Sequence, residues 1–189
     1  MRSMVLSTGM ANNVAKKVAR TLPAIKSEIG HIPQRLKLGD FDRPIARLDI
    51  LRHMTTQLVR EERCEFKYNR AVELRPYIER LIQLGIHRGE SDDYTREMVD
   101  WWITESSMRK KFYENICVRL RDATEYTQMI RLPKERLCTY KDKRKERWVK
   151  YELAMLELNG HPFDSIDILE ENRKSALRKL IEKSIIVEE

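Results

Sequence analysis

An α+β fold is predicted by two features of the sequence. Apolar residues recur at helical spacing from residue 44 to about residue 120, and beyond Asp122 the spacing shortens to the two-residue alternation of strands. The 189 residues suffice for one domain of ordinary size plus extensions. With 41% hydrophobic and 35% charged residues, a core can form but the surface must be unusually ionic. A formal net charge of +7 and a pI near 9.3 favour an anionic partner, nucleic acid or an anionic membrane surface.

Residues 1–39 hold seven Lys/Arg (Arg2, Lys16, Lys17, Arg20, Lys26, Arg35, Lys37) against Glu28 alone, a net of +6. Val14, Ala15, Val18 and Leu22 form one side of a short helix. Basic, Ser/Thr-bearing and acid-poor is the composition of an organellar transit peptide. A basic arm that stays attached and lies on nucleic acid is the alternative.

Gly39 to Arg43 break this pattern, and Asp42 can cap a helix with Pro44 just inside it. To about Glu62, Leu48, Leu51, Thr55, Leu58 and Val59 share one side of that helix. Asp49, Arg52, His53, Thr56 and Arg60 share the other. One face can enter a core while the other presents cations in a row. That suits a helix laid against a polyanion, and equally an ordinary surface helix. Arg63 to Lys67 alternates as a short strand with Cys64 and Phe66 on one side. Asn69 can cap the next helix, where Leu74, Tyr77, Ile78, Leu81 and Ile82 form a buried stripe. Pro76 predicts a kink or a late start there, and Gly85 and Gly89 predict its end.

Ser91-Asp92-Asp93 starts a third helix, with acids where the helix dipole favours them. Tyr94, Met98, Trp101 and Trp102 give it an aromatic core face. Ser106-Ser107 caps a fourth, with Met108, Phe112, Ile116 and Leu120 in register. Tyr126 to Leu132 is a β-rich run ending at Pro133. Arg147 to Leu158 alternates, with Val149, Tyr151, Leu153 and Met155 on one face and Lys150 and Glu152 on the other. Between these strands, Lys134–Lys150 counts eight Lys/Arg against three acids. This reads as a basic hairpin loop reaching for phosphates, against the plainer reading of a solvated charged turn. Asn159-Gly160-His161-Pro162 breaks the chain again, and 164–183 is predicted to be helical. This tail, 159–189, has seven acids and five bases and suits a protein neighbour or its own domain better than nucleic acid.

Chemistry-bearing motifs do not emerge. There is no G-x-x-x-x-G-K-[ST], G-x-G-x-x-G or H-E-x-x-H. His31, His53, His87 and His161 are isolated from one another and from the cysteines. Cys64, Cys117 and Cys138 are odd in number and widely spaced, which reads as buried thiols rather than a disulfide framework or zinc site. Glu61 and Glu62 diverge by about 100° on a helix, so they cannot act together on one bond. No run of about 18 apolar residues can span a bilayer. The expectation is no catalytic group, cofactor, metal or small-molecule substrate.

The stretch Leu51 to Glu65 and its continuation Arg70 to Ile82 closely resemble ribosomal protein seventeen of the bacterial-type large subunit, in its mitochondrial branch. Tyr126 to Pro133 resembles the family's Gly-Gly-Tyr-Thr-Arg signature leading into a strand, and Val149 to Leu158 resembles its closing strand. The likeness covers roughly residues 42–158, leaving 1–41 as a basic extension, in part a transit peptide, and 159–189 as a helical one. It implies a two-layer domain, about four helices packed on a small mixed sheet. The implied role is a structural constituent of the mitochondrial large ribosomal subunit, near the polypeptide exit side. Partners would be the large-subunit rRNA and neighbouring ribosomal proteins. Arg43, Arg47, Arg52, His53, Arg60 and Arg63, with Lys141, Lys143, Arg144, Lys145 and Arg147, would neutralise phosphates. With few aromatics exposed, shape and phosphate recognition should outweigh base stacking. Two positions depart from the family: Glu125 stands where it places glycines, and Gln128 where it has Arg. A carboxylate there argues against a backbone-to-phosphate contact. A nucleic-acid-binding regulatory module using helix 44–60 is the alternative, although Pro44, Ile45 and Ala46 are poor base readers. An enzyme acting on RNA would need an acid/base or metal cluster.

Overall fold

Leu51, Thr55, Leu58 and Val59 are buried along one stripe of a helix over Ala46–Glu61, as their spacing predicts. The structure, a computed structural model, describes residues 8–25, 46–142 and 145–164. The helix predicted over 164–183 therefore lies outside the described residues from 165 on, as do Arg43, Lys143 and Arg144.

The elements run α1 (Thr8–Thr21), α2 (Ala46–Glu61), β1 (Arg63–Lys67), α3 (Tyr68–His87), α4 (Asp93–Trp102) and α5 (Ser106–Lys111). A π-helical turn, Phe112–Ile116, leads into α6 (Cys117–Arg119), then β2 (Thr127–Asp142) and β3 (Lys145–Leu158). The class is α+β, with helices packed on a small three-stranded sheet of order β1-β3-β2. Both pairings are antiparallel, so the sheet is not mixed: β3 lies in the middle and runs against each neighbour. One core joins Leu51 and Leu58 of α2, Leu74, Ile78 and Ile82 of α3, Val99 of α4, Phe112, Ile116 and Leu120. The sheet adds Cys64, Phe66, Ala154, Leu156 and Leu158. Full burial of such side chains stabilises by about 1.5–3 kcal/mol each.

Three local outcomes differ from the sequence reading. First, α3 starts at Tyr68 with Pro76 inside it and runs through Gly85 to His87. A Cβ at Gly85 would lie 2.5 Å from Cys117 Sγ and 2.9 Å from Phe112 Cε1, so this glycine admits a neighbour rather than ending the helix. Second, Tyr94, Met98, Trp101 and Trp102 are only half-buried, and α4 buries Thr95 and Val99 instead. Third, the strands continue through most of the predicted basic loop, with register from Thr127↔Leu158 to Asp142↔Lys145. Register shifts at Leu132/Glu135 and Cys138/Tyr140 explain how. Pro133 cannot donate to the ladder, and a bulge is where a strand tolerates it.

Candidate nucleic-acid interface

Asp49, Arg52, Thr56 and Arg60 lie on one stripe of α2, but the stripe is not an open row of cations. The connector after α4 lies along it. Arg52 Nε donates to Trp101 O at 2.5 Å, and its guanidinium stacks 4.6 Å from the Trp101 ring centroid. Arg52 Nη1 reaches Asp49 at 3.2 Å. Thr56 is buried and receives the Thr104 amide at 3.1 Å. Arg60 pairs with Glu105. His53 is exposed on the flank, and Arg47 lies in the first turn. The spacing that aligns charges for a polyanion also aligns them for a crossing segment of the same chain.

Arg63 is committed to the fold. Its Nε donates to Glu157 at 2.8 Å and its Nη2 to Asp164 O at 2.6 Å, with the side chain 13% exposed. His161 Nε2 stands 3.1 Å from the same Glu157 oxygen, so the chain leaving β3 folds back over β1. Glu62 pairs with Lys111 at 2.8 Å and Arg119 at 2.7 Å. Burial pushes its carboxyl up, but the hydrogen bonds and charges of Lys111 and Arg119 outweigh that and hold it below the usual carboxylate range.

The turn into β2 is organised from α3. Glu79 Oε1 accepts from the Thr127 amide at 2.8 Å, the Thr127 hydroxyl at 2.6 Å and the Tyr126 amide at 3.3 Å. Arg75 donates to Thr127 Oγ1 at 3.1 Å and Thr127 O at 2.9 Å. Both amides thus serve Glu79, which leaves neither for a phosphate. Burial raises the Glu79 carboxyl, against the pull of these hydrogen bonds and Arg75. The sequence reading missed this pair. Their i, i+4 spacing on an otherwise apolar stripe was the available signal.

The long hairpin is different in character. β1 pairs only with Leu153–Glu157, so residues 135–142 and 145–151 form a two-stranded ribbon. Lys141, Lys145 and Arg147 lie on this ribbon, at Lys141↔Glu146, Asp142↔Lys145 and Tyr140↔Arg147. Arg136 and Lys150 are exposed and directly opposed, and Lys134 pairs with Glu152 at 2.8 Å. Neither Arg136 nor Lys150 has an acid partner among the described residues.

Cys64 and Cys117 are free and buried, and burial pushes the Cys117 thiol up to about 12. Among the described residues, no group of three His, Cys, Asp or Glu is placed to hold a metal, and no helix is long and apolar enough to cross a membrane. The family described as Ribosomal protein L17 matches residues 50–148, from α2 into β3.

Proposed function

The chain belongs to the ribosomal protein L17 family, and on that premise we propose how it serves the large ribosomal subunit. Membership makes it a structural rather than a catalytic component, with ribosomal RNA and ribosomal proteins as partners. The finer reading is a constituent of the mitochondrial large subunit that grips large-subunit rRNA chiefly through the ribbon. The single observation carrying it is the separation of charge. Arg52 and Arg60 on α2 already have acids, a carbonyl or a ring beside them, whereas the stretch Lys134–Lys150 holds eight Lys/Arg against three acids. A phosphate contact gains most where a cation need not leave an acid to make it.

In this reading Lys141, Lys143, Arg144, Lys145 and Arg147 neutralise phosphates. Arg43, Arg47 and His53 add to them at the entry and flank of α2. Arg52 and Arg60 reach RNA only by sharing their guanidinium with Trp101 O, Asp49 or Glu105, and Arg63 serves the fold. The mitochondrial assignment rests on the composition of residues 1–39, seven Lys/Arg to one acid, which suits a transit peptide. Sequencing the N-terminus of the chain recovered from mitochondria checks it. An N-terminus within 1–41 supports import and trimming, and absence from the organelle overturns it.

The RNA reading is tested by salt dependence. Each lost phosphate contact lowers the slope of log affinity against log salt by roughly 0.7–0.9. The triple variant Lys141→Ala, Lys145→Ala, Arg147→Ala should reduce the slope by about 2–3, and Arg52→Ala with Arg60→Ala by less. Equal slopes in wild type and triple variant would mean a merely solvated ribbon.

A further inference from the structure

We infer that Trp148 is a stacking platform for an unpaired RNA base, set between Arg136 and Lys150 on one face of the β2–β3 ribbon. The inference rests on the RNA reading above and adds a ligand chemistry to it. Trp148 is 47% exposed, which is unusual for the largest apolar side chain. Strand alternation puts it on the same face as Lys150, two residues on and roughly 7 Å away. The register pairs Lys150 with Arg136 and Trp148 with Cys138, so Arg136 shares that face too.

Two like charges directly opposite one another are destabilising in a sheet, with side-chain origins about 5 Å apart. Arg136 and Lys150 hold this arrangement with no acid partner among the described residues. An anion between or beside them would remove the cost. The neighbouring indole is what separates this from a general polyanion site. A phosphate backbone satisfies the two cations, and a nucleic acid also brings a flat π face at base-to-phosphate reach. Duplex RNA keeps its bases stacked inside, so a loop, bulge or single-stranded segment is the fitting ligand. A protein neighbour inserting an acidic-aromatic segment is the competing occupant, which the test below separates from RNA.

The test uses the full-length chain with a short single-stranded oligoribonucleotide, an RNA duplex of equal length, and heparin. Single-stranded RNA should quench tryptophan fluorescence, and Trp148→Phe should abolish the quench while keeping affinity. Trp148→Ala should bind single-stranded RNA about tenfold more weakly with an unchanged salt slope. Heparin and duplex should bind both variants as they bind the wild type. Circular dichroism identical to wild type shows that the ribbon has formed. Equal single-stranded affinity in wild type and Trp148→Ala, or a quench persisting in Trp148→Phe, overturns this inference alone. Absence of any salt-dependent RNA binding by the wild type overturns the underlying reading as well. Loss of subunit incorporation in Trp148→Ala, with RNA binding intact, assigns the indole to a protein neighbour and overturns it too.

Discussion

Glu62 sits at φ 63°, in the left-handed region that side chains other than glycine seldom adopt, at the corner between α2 and β1. Its amide donates to Leu58 O at 2.8 Å and its carbonyl accepts from Leu158 at 2.9 Å, so the corner also fixes the sheet. The carboxylate between Lys111 and Arg119 offsets the backbone cost. Because its folded value lies below the ordinary 4.5, the stability it contributes is full above that value. It is lost as pH falls through the folded value. Stability to denaturation should therefore fall more steeply in wild type than in Glu62→Gln as pH is lowered from about 5. Arg63 next to it gives a second residue-scale prediction. Arg63→Ala leaves Glu157, 5% exposed, without its guanidinium and should cost about 2–4 kcal/mol in chemical denaturation. Its salt slope for RNA binding should match the wild type, since this guanidinium faces protein.

At the scale of elements, Gly85 is where α3 meets the π-helical turn. Cys117 donates its amide to Phe112 O across five residues, and the widened turn lets Phe112 and Cys117 press on the α3 backbone. Gly85→Ala should destabilise by about 1–3 kcal/mol, despite alanine's better helix propensity, because Phe112 is fully buried and cannot yield. A midpoint equal to or above wild type in thermal unfolding would contradict that packing. The sequence carried these elements unevenly, for physical reasons. β1, Arg63–Lys67, was legible because alternation and burial coincide over five residues. Of the two glycines expected to end α3, Gly89 does so at φ 72°, with its amide on Leu84 O, whereas Gly85 lies inside the helix. Spacing could not tell them apart, because glycine signals a stop and a close contact in the same way. The strand through Pro133 was hidden likewise, since proline marks both a strand end and a bulge. The α2 stripe was read correctly as polar, but spacing cannot say what covers it. That required the Trp101–Glu105 connector, forty to fifty residues away in sequence.

For the whole molecule, the net charge of +7 does not say where RNA binds, because many of the 37 Lys/Arg are paired locally. Arg88 with Asp92, Arg96 with Asp93 and Arg109 with Asp100 are internal pairs of the helical layer. Exposed pairs of this kind contribute little stability, but they do remove cations from the surface field. On the ribbon, Lys134 is paired with Glu152, while Arg136 and Lys150 have no acid partner among the described residues. Composition alone could announce an anionic partner, and the fold shows that Arg52, Arg60 and Arg63 are already engaged within the chain. The central claim, a structural protein of the large subunit, is tested most directly by sedimenting a tagged chain from mitochondrial lysate at physiological salt. The account predicts co-migration with the large subunit, lost in the triple variant Lys141→Ala, Lys145→Ala, Arg147→Ala. Recovery of the wild-type chain only in RNA-free fractions would contradict it.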